Sequence, residues 1–205
     1  MDILEAIYTL RAMRRLKTDA VPEELVWKVL DAAIRAPSGG NLQPWRFVVV
    51  TDAAKKKKIG EWYLDGWNKM YGPRRDVPIT DPAAARTFKS ADHLANHIAE
   101  VPVLIFATVM SNMASVSGAG PNIFPAVQNL MLAARALGLG TTLTTLHKHH
   151  DADVKELLGI PDGVETMAMI PLGWPTGKFG TGPRRPVEAV THWDAWGTKR
   201  ENPAK

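Results

Sequence analysis

RAMRRLKTDAVPEELVWKVLDAAIRAPSGGNLQPWRFVVV, Arg11 to Val50, contains the changes of pattern that set the fold. It opens on three arginines in five residues. Pro22-Glu23-Glu24 then starts a helix, because proline suits the first turn and acids suit the positive helix end. Leu25, Val29, Leu30 and Ala33 recur at helical spacing. The helix is expected to stop near Arg35, since Pro37 disfavours helix at the residue before it. Ala36 to Trp45 is a bend rich in Gly, Pro and amides. Arg46 to Thr51, RFVVVT, reads as a buried strand.

Working outward, residues 60 to 100 form a helical excursion and a plausible lid, punctuated by Gly72-Pro73 and Asp81-Pro82, with a helix over Ala83 to Glu100. Val101 to Val109 is the second strand. Ser111 to Gly120 reads as a Gly/Ser/Asn loop and Pro125 to Leu137 as a long apolar helix, closed by Gly138. Gly140 to Leu146, rich in β-branched residues, is the expected third strand. Asp151 is the expected N-cap of a helix to Leu158. Glu165 to Leu172 is the fourth strand. From Gly173 onward, Gly, Pro, Arg and Trp describe an extended tail that docks on something. Alternating helices and strands after a helical start imply α/β or α+β around one sheet.

The bulk numbers bound the rest. A chain of 205 residues, 45% hydrophobic and 22% charged, suits one globular domain over 1–205. Cysteine is absent, so there is no disulfide framework, no thiolate nucleophile and no CxxC metal site. A cytoplasmic location is expected. The N-terminus lacks signal-peptide character, and the strongest apolar run is half of what spans a bilayer, about 20 residues. A net charge of +4 is small for a nucleic-acid binder. Lys55 to Lys58 reads as the solvated start of a helix. Neither a nucleic-acid nor a membrane partner is expected.

Four constellations carry chemistry. Arg11, Arg14 and Arg15 make an anion site if they converge, since guanidinium matches phosphate in a bidentate way; otherwise they are a solvated basic turn. In the bend, Gly39 and Gly40 let backbone approach a ligand, while Asn41 and Gln43 suit an amide-like ring edge; a tight connection is the plainer alternative. Gln128, on the long helix, precedes a Gly-rich turn and the hydroxyls of Thr144 and Thr145. Arg184-Arg185-Pro186 could close over an anion first met by Arg11. His147, His149 and His150 read as surface residues at a strand end. GxSxG, P-loop, HExxH and GxGxxG motifs are missing, which removes the familiar hydrolase, nucleotide, zinc and Rossmann sites.

Together and in this order, the pieces resemble the nitroreductase superfamily from Leu10 to Trp196. The resemblance implies an α+β sandwich with a central mixed, mainly antiparallel sheet flanked by helices. It implies FMN bound without a covalent link at a homodimer interface. On matching positions, Arg11 and Arg184 would grip the phosphate, with Ala12 and Met13 beside them. Arg15 would sit at the N1/C2=O edge of the ring, and Asn41 and Gln43 near its pyrimidine side. Pro37, Ser38 and Gly39 would come from the partner subunit. Gln128, Leu143, Thr144 and Thr145 would complete the contacts, the last three near N5. Many members carry serine where Met13 stands and arginine where Ala12 stands, so the phosphate has fewer side-chain donors here.

The implied activity is transfer of electrons from NADH or NADPH through FMN to a small-molecule acceptor such as a nitroaromatic or quinone, in ping-pong fashion. The cofactor carries the redox step, and no catalytic protein residue is expected beyond Arg15 as an electrostatic stabiliser. Reductive dehalogenation, alkene reduction on the same fold, and flavin binding without turnover are the competing expectations.

Overall fold

The computed structural model describes residues 1–111 and 116–203, with the side chains of 116–118 left aside. Its helices are α1 (Ile3–Thr9), α2 (Glu23–Ala33), α3 (Ala53–Tyr71), α4 (Pro82–His97), α5 (Val116–Ala136), α6 (Asp151–Leu158) and α7 (Val187–Val190). Its strands are β1 (Trp45–Val50), β2 (Val103–Met110), β3 (Gly140–Thr141) and β4 (Val164–Gly173). They form one sheet in the order β1-β2-β4-β3. All three pairings are antiparallel, so the sheet is less mixed than expected.

β2 is apolar at nearly every position because both faces are covered. Val103, Ile105, Ala107 and Val109 face a core shared with α2 and α5, through Val26, Val29, Ile123, Leu130 and Ala134. Leu104 and Phe106 face the second core, built from Ile59, Tyr63 and Trp67 of α3, Leu94 of α4 and Val154 of α6. The result is a three-layer α+β sandwich. No described helix is long and apolar enough to cross a membrane.

Several expectations need correction. α5 begins at Val116, so the second half of the expected 111–120 loop is helical; residues 112–115 lie outside the description. Pro121 and Pro125 sit inside α5. Each interrupts a ladder bond at a cost of about 3 kcal/mol, but Ile123, Ala126 and Val127 are buried against the sheet on the same turns and offset it. The third strand stops at Thr141 instead of Leu146, and residues Leu146–His150 form a 3-10 turn. Asp151 is the first helical residue and caps nothing; its carboxylate is drawn to the Thr166 hydroxyl and to Lys148 Nζ. The tail is largely irregular and contains the short α7.

Lys56 also departs from its expected solvated place. It is 8% exposed, and its ammonium donates to the Val101 and Pro102 carbonyls at 2.9 and 3.1 Å. It thereby ties α3 to the chain entering β2, and burial lowers its pKa against a partial offset from Asp52. Lys56→Met should lower stability by about 2–3 kcal/mol, because two carbonyls lose a charged donor. Urea unfolding reads this directly, and an unchanged midpoint would mean that water replaces the ammonium.

Candidate functional site

The site grows from the end of α5. Gly138 takes φ 79, and the Gly138 and Leu139 amides donate back to Arg135 and Ala134 carbonyls at 3.1 and 2.8 Å. This glycine-closed helix end turns the chain into β3. β3 pairs with β4 only at Gly140↔Gly173 and Thr141↔Leu172, and contact resumes at Thr144↔Met169. Between them, Thr142 and Leu143 bow out of the ladder.

Residues 13–17 lie against this break. A Cβ on Gly140 would stand 2.8 Å from Leu16 Cδ2 and 2.9 Å from Met13 Cβ, so the close approach requires glycine. The Met13 amide donates to Thr141 O at 2.8 Å, and Leu16 bridges to Pro175. Thr176 N donates to Arg15 O and Lys17 N to Trp174 O, at 3.1 and 2.7 Å. The segment is thus held between β3 and the start of the tail. Its alternation buries Met13 and turns Arg14 toward the opening.

Two cavities of about 340 and 270 Å³ share Arg14, Thr142 and Leu143 and form one trough. Arg11, Ala12, Gln128, Thr141 and Arg184 line one end; Tyr63, Trp67, Tyr71, Thr144, Thr145 and His149 line the other. The first end carries guanidinium groups, and the second mixes aromatic, aliphatic and hydroxyl side chains. Trp67 Nε1 donates to Asp92 Oδ1 at 2.9 Å, and Arg75 pairs with the same carboxylate at 3.0 Å, fixing α3 against α4. Burial lowers the Arg14 pKa, with Tyr63 acting the other way; a guanidinium remains a cation regardless. Thr141 Oγ1 is buried in the trough wall with no hydrogen-bond partner among the described residues. Such a group is expected to meet a ligand or water.

Of the residues singled out in the sequence, Arg11, Ala12, Gln128, Leu143, Thr144, Thr145 and Arg184 line the trough. Met13 does not: its side chain is 5% exposed and its amide is already engaged. Arg15 is also elsewhere, with its guanidinium 3.0 Å from His93 Nδ1. Pro37, Ser38, Gly39, Asn41 and Gln43 do not line the trough of their own chain. They form a preset bend in which Gly40, Asn41 and Gln43 take φ 57, 55 and 48. Gln43 N donates to Ser38 Oγ at 3.0 Å, Gln43 Nε2 to Asn41 Oδ1 at 3.1 Å, and Gly39 N to Asn122 Oδ1 at 2.8 Å. Holding two non-glycine residues there costs on the order of 1–3 kcal/mol each.

Arg14 belongs to the arginine cluster of the sequence but had no place of its own at the ligand, and Tyr63, Trp67, Tyr71 and His149 were not anticipated there. The aromatic three were findable: Tyr63, Trp67 and Tyr71 recur every four residues, which puts them on one helical face. Of His147, His149 and His150, only His149 is exposed. His147 is buried, and His150 bridges Asp65 and Asp153 at 2.6 and 3.0 Å.

Arg135, 9% exposed, clasps the two segments that deliver the trough arginines. Its Nε donates to Thr9 Oγ1 at 2.9 Å, and its guanidinium lies 4.1 Å over the Phe179 ring. Arg135→Met should cost about 2 kcal/mol and speed tryptic cleavage at Lys178. A cleavage rate equal to wild type would show that the clasp does not hold the tail.

The nitroreductase family profile matches residues 7–174. A Methanothermobacter thermautotrophicus protein named as an NADH dehydrogenase/NAD(P)H nitroreductase is 32% identical over 184 residues, 88% of this chain and 81% of that protein. An NADH dehydrogenase of Thermus thermophilus is 29% identical, over 94% of this chain and 96% of that protein. Among solved structures, iodotyrosine deiodinase bound to FMN and 3-iodo-L-tyrosine superposes with TM-score 0.78 at 22% identity, covering 95% of this chain and all of that one (100%). With the profile spanning most of its length, this chain belongs to the nitroreductase family.

Proposed function

We propose that the chain is an FMN-dependent oxidoreductase that passes electrons from NADH or NADPH to a small organic acceptor such as a nitroaromatic or quinone. The observation that carries this is the trough itself, with guanidinium groups at one end and Tyr63, Trp67 and Tyr71 among the residues lining the other. The residues suit a phosphate joined to a planar ring. Arg11 and Arg184 would hold the phosphate, and Gln128 with Thr141 and Thr142 would meet the polar linker. Leu143, Thr144 and Thr145 would support the ring. FMN, when bound, supplies the two-electron carrier.

The protein's part is to bind, orient and charge-match. Arg14 rather than Arg15 would offer the fixed cation beside the ring, because it borders both halves of the trough. Trp67, held through Asp92, and Tyr71, packed against the Trp67 ring, would exclude water from the reacting face. The protein would act as a homodimer in the cytoplasm. Ile3, Leu4, Ile7 and Tyr8 of α1, Trp27 and Leu42 are exposed apolar side chains for a second copy to cover. The preset 37–43 bend would reach the trough of that copy and bring Asn41 and Gln43 to the ring edge.

A second reading, reductive dehalogenation of an aryl substrate, is favoured by the aromatic end of the trough and by the likeness to the deiodinase structure. The test is an anaerobic titration of the FMN-loaded protein with NADH and NADPH. Acceptors follow: a nitroaromatic, a quinone and a halophenol. Bleaching by nicotinamide and recolouring by one acceptor class supports the reading and selects the chemistry. A yellow protein bleached by dithionite but never by either nicotinamide would be a flavin binder without this turnover.

A further inference from the structure

We infer that Tyr63 is a positioning residue that aims the Thr144 hydroxyl proton into the trough, making Thr144 a hydrogen-bond donor to the bound ligand. The inference rests on the FMN reading and assigns a role to a side chain on α3 that faces the trough from the opposite wall.

The geometry leaves little freedom. The Tyr63 phenol oxygen lies 2.9 Å from Thr144 Oγ1, and Tyr63 is 3% exposed. Both backbone groups of Thr144 are spent on Met169, at 3.0 and 2.9 Å, which fixes its backbone. Two arrangements of the hydroxyl protons are possible. If Thr144 donated to Tyr63, the phenol proton would need another acceptor, and among the described residues the phenol makes no other hydrogen bond. A buried donor left unpaired is costly. Tyr63, buried where Thr144 is half-exposed to the trough, therefore donates to Thr144. The Leu146 amide approaches the same Oγ1 at 3.5 Å. A hydroxyl has two lone pairs and one proton. With both lone pairs facing donors, the proton has to leave toward the open side, the trough that Thr144 lines. Burial also raises the Tyr63 pKa, so the phenol keeps its proton at neutral pH.

The trough thus presents one oriented neutral donor beside the Arg14 cation. It fits an acceptor atom of a conjugated ring, a ring nitrogen or a carbonyl oxygen.

The test compares Tyr63→Phe, Thr144→Val, the double variant and Thr144→Ser by FMN fluorescence quenching and by the visible flavin band. Tyr63→Phe and Thr144→Val should each weaken FMN binding about five- to tenfold, the loss of one hydrogen bond, and should move the band alike. The double variant should be no worse than either single one, and Thr144→Ser should bind as wild type. If wild type binds FMN but Tyr63→Phe matches it in affinity and spectrum, or the single losses multiply, the inference is overturned and the FMN reading stands. If wild type binds no FMN, both fall. Should Tyr63→Phe fail to fold, Thr144→Val against Thr144→Ser decides alone: equal affinity overturns the inference.

Discussion

Replacing Arg11 and Arg184 together by alanine is expected to weaken FMN binding by about two to four orders of magnitude. A hydrogen bond to a charged group contributes about 1.5–3 kcal/mol, or roughly ten- to a hundredfold for each arginine. Both arginines line the same end of the trough, and neither is held in an ion pair among the described residues. The fold should survive, because both side chains are exposed. Riboflavin, which lacks the phosphate, provides the control: its affinity should change little. A double variant that loses FMN and riboflavin equally would place these guanidiniums at some other part of the ligand.

The second large effect concerns pH. His147 is 1% exposed, edge-on to Phe106 at 5.4 Å, with Nε2 3.1 Å from Thr166 Oγ1 and Nδ1 buried with no partner among the described residues. Burial, aided by neighbouring Lys148 and opposed by Asp151, pushes its pKa down to about 4. The unfolded chain takes up this proton near pH 6.5, whereas the folded chain resists until about pH 4. Stability from this group is complete above pH 6.5 and is lost as pH falls through that window. Its size is about 3 kcal/mol, since one pKa unit corresponds to about 1.4 kcal/mol. His150 acts in the opposite sense. Its bonds to Asp65 and Asp153 raise its pKa, so its contribution is present below pH 6.5 and fades as pH rises through the raised value. The depressed carboxyls of Asp65 and Asp151 act at lower pH, near and below their ordinary 3.8. Subtracting the urea stability of His147→Gln from that of wild type at each pH isolates the His147 part. A difference that stays flat from pH 7 to 4 would mean that the imidazole is not sealed off.

What the sequence disclosed depended on whether the signal was local. Pro22-Glu23-Glu24, the helical stripe and Pro37 set α2 within two residues at each end, and RFVVV set β1. These are contests between short-range preferences. The errors came where distant packing decided. Pro121 and Pro125 mark a helix start by local rules, yet Ile123 between them has no exposed surface. GTTLTTL has strand composition throughout, but it pairs with β4 only at Gly140, Thr141 and Thr144. His147 falls in a polar run, HKHH, and is buried because the 3-10 turn points it at Phe106 and Thr166. Arg14 and Arg15 differ by one position in an extended segment; which one faces the trough is fixed by Met13 seating on Gly140, a contact across more than 120 residues.

Leu16 and Pro175 meet across that same seam. Stretches of the gene far apart in the message thus answer to one constraint. A change at either stretch would misalign the mouth of the trough in the same way, and compensating substitutions should arise in matched pairs across the two.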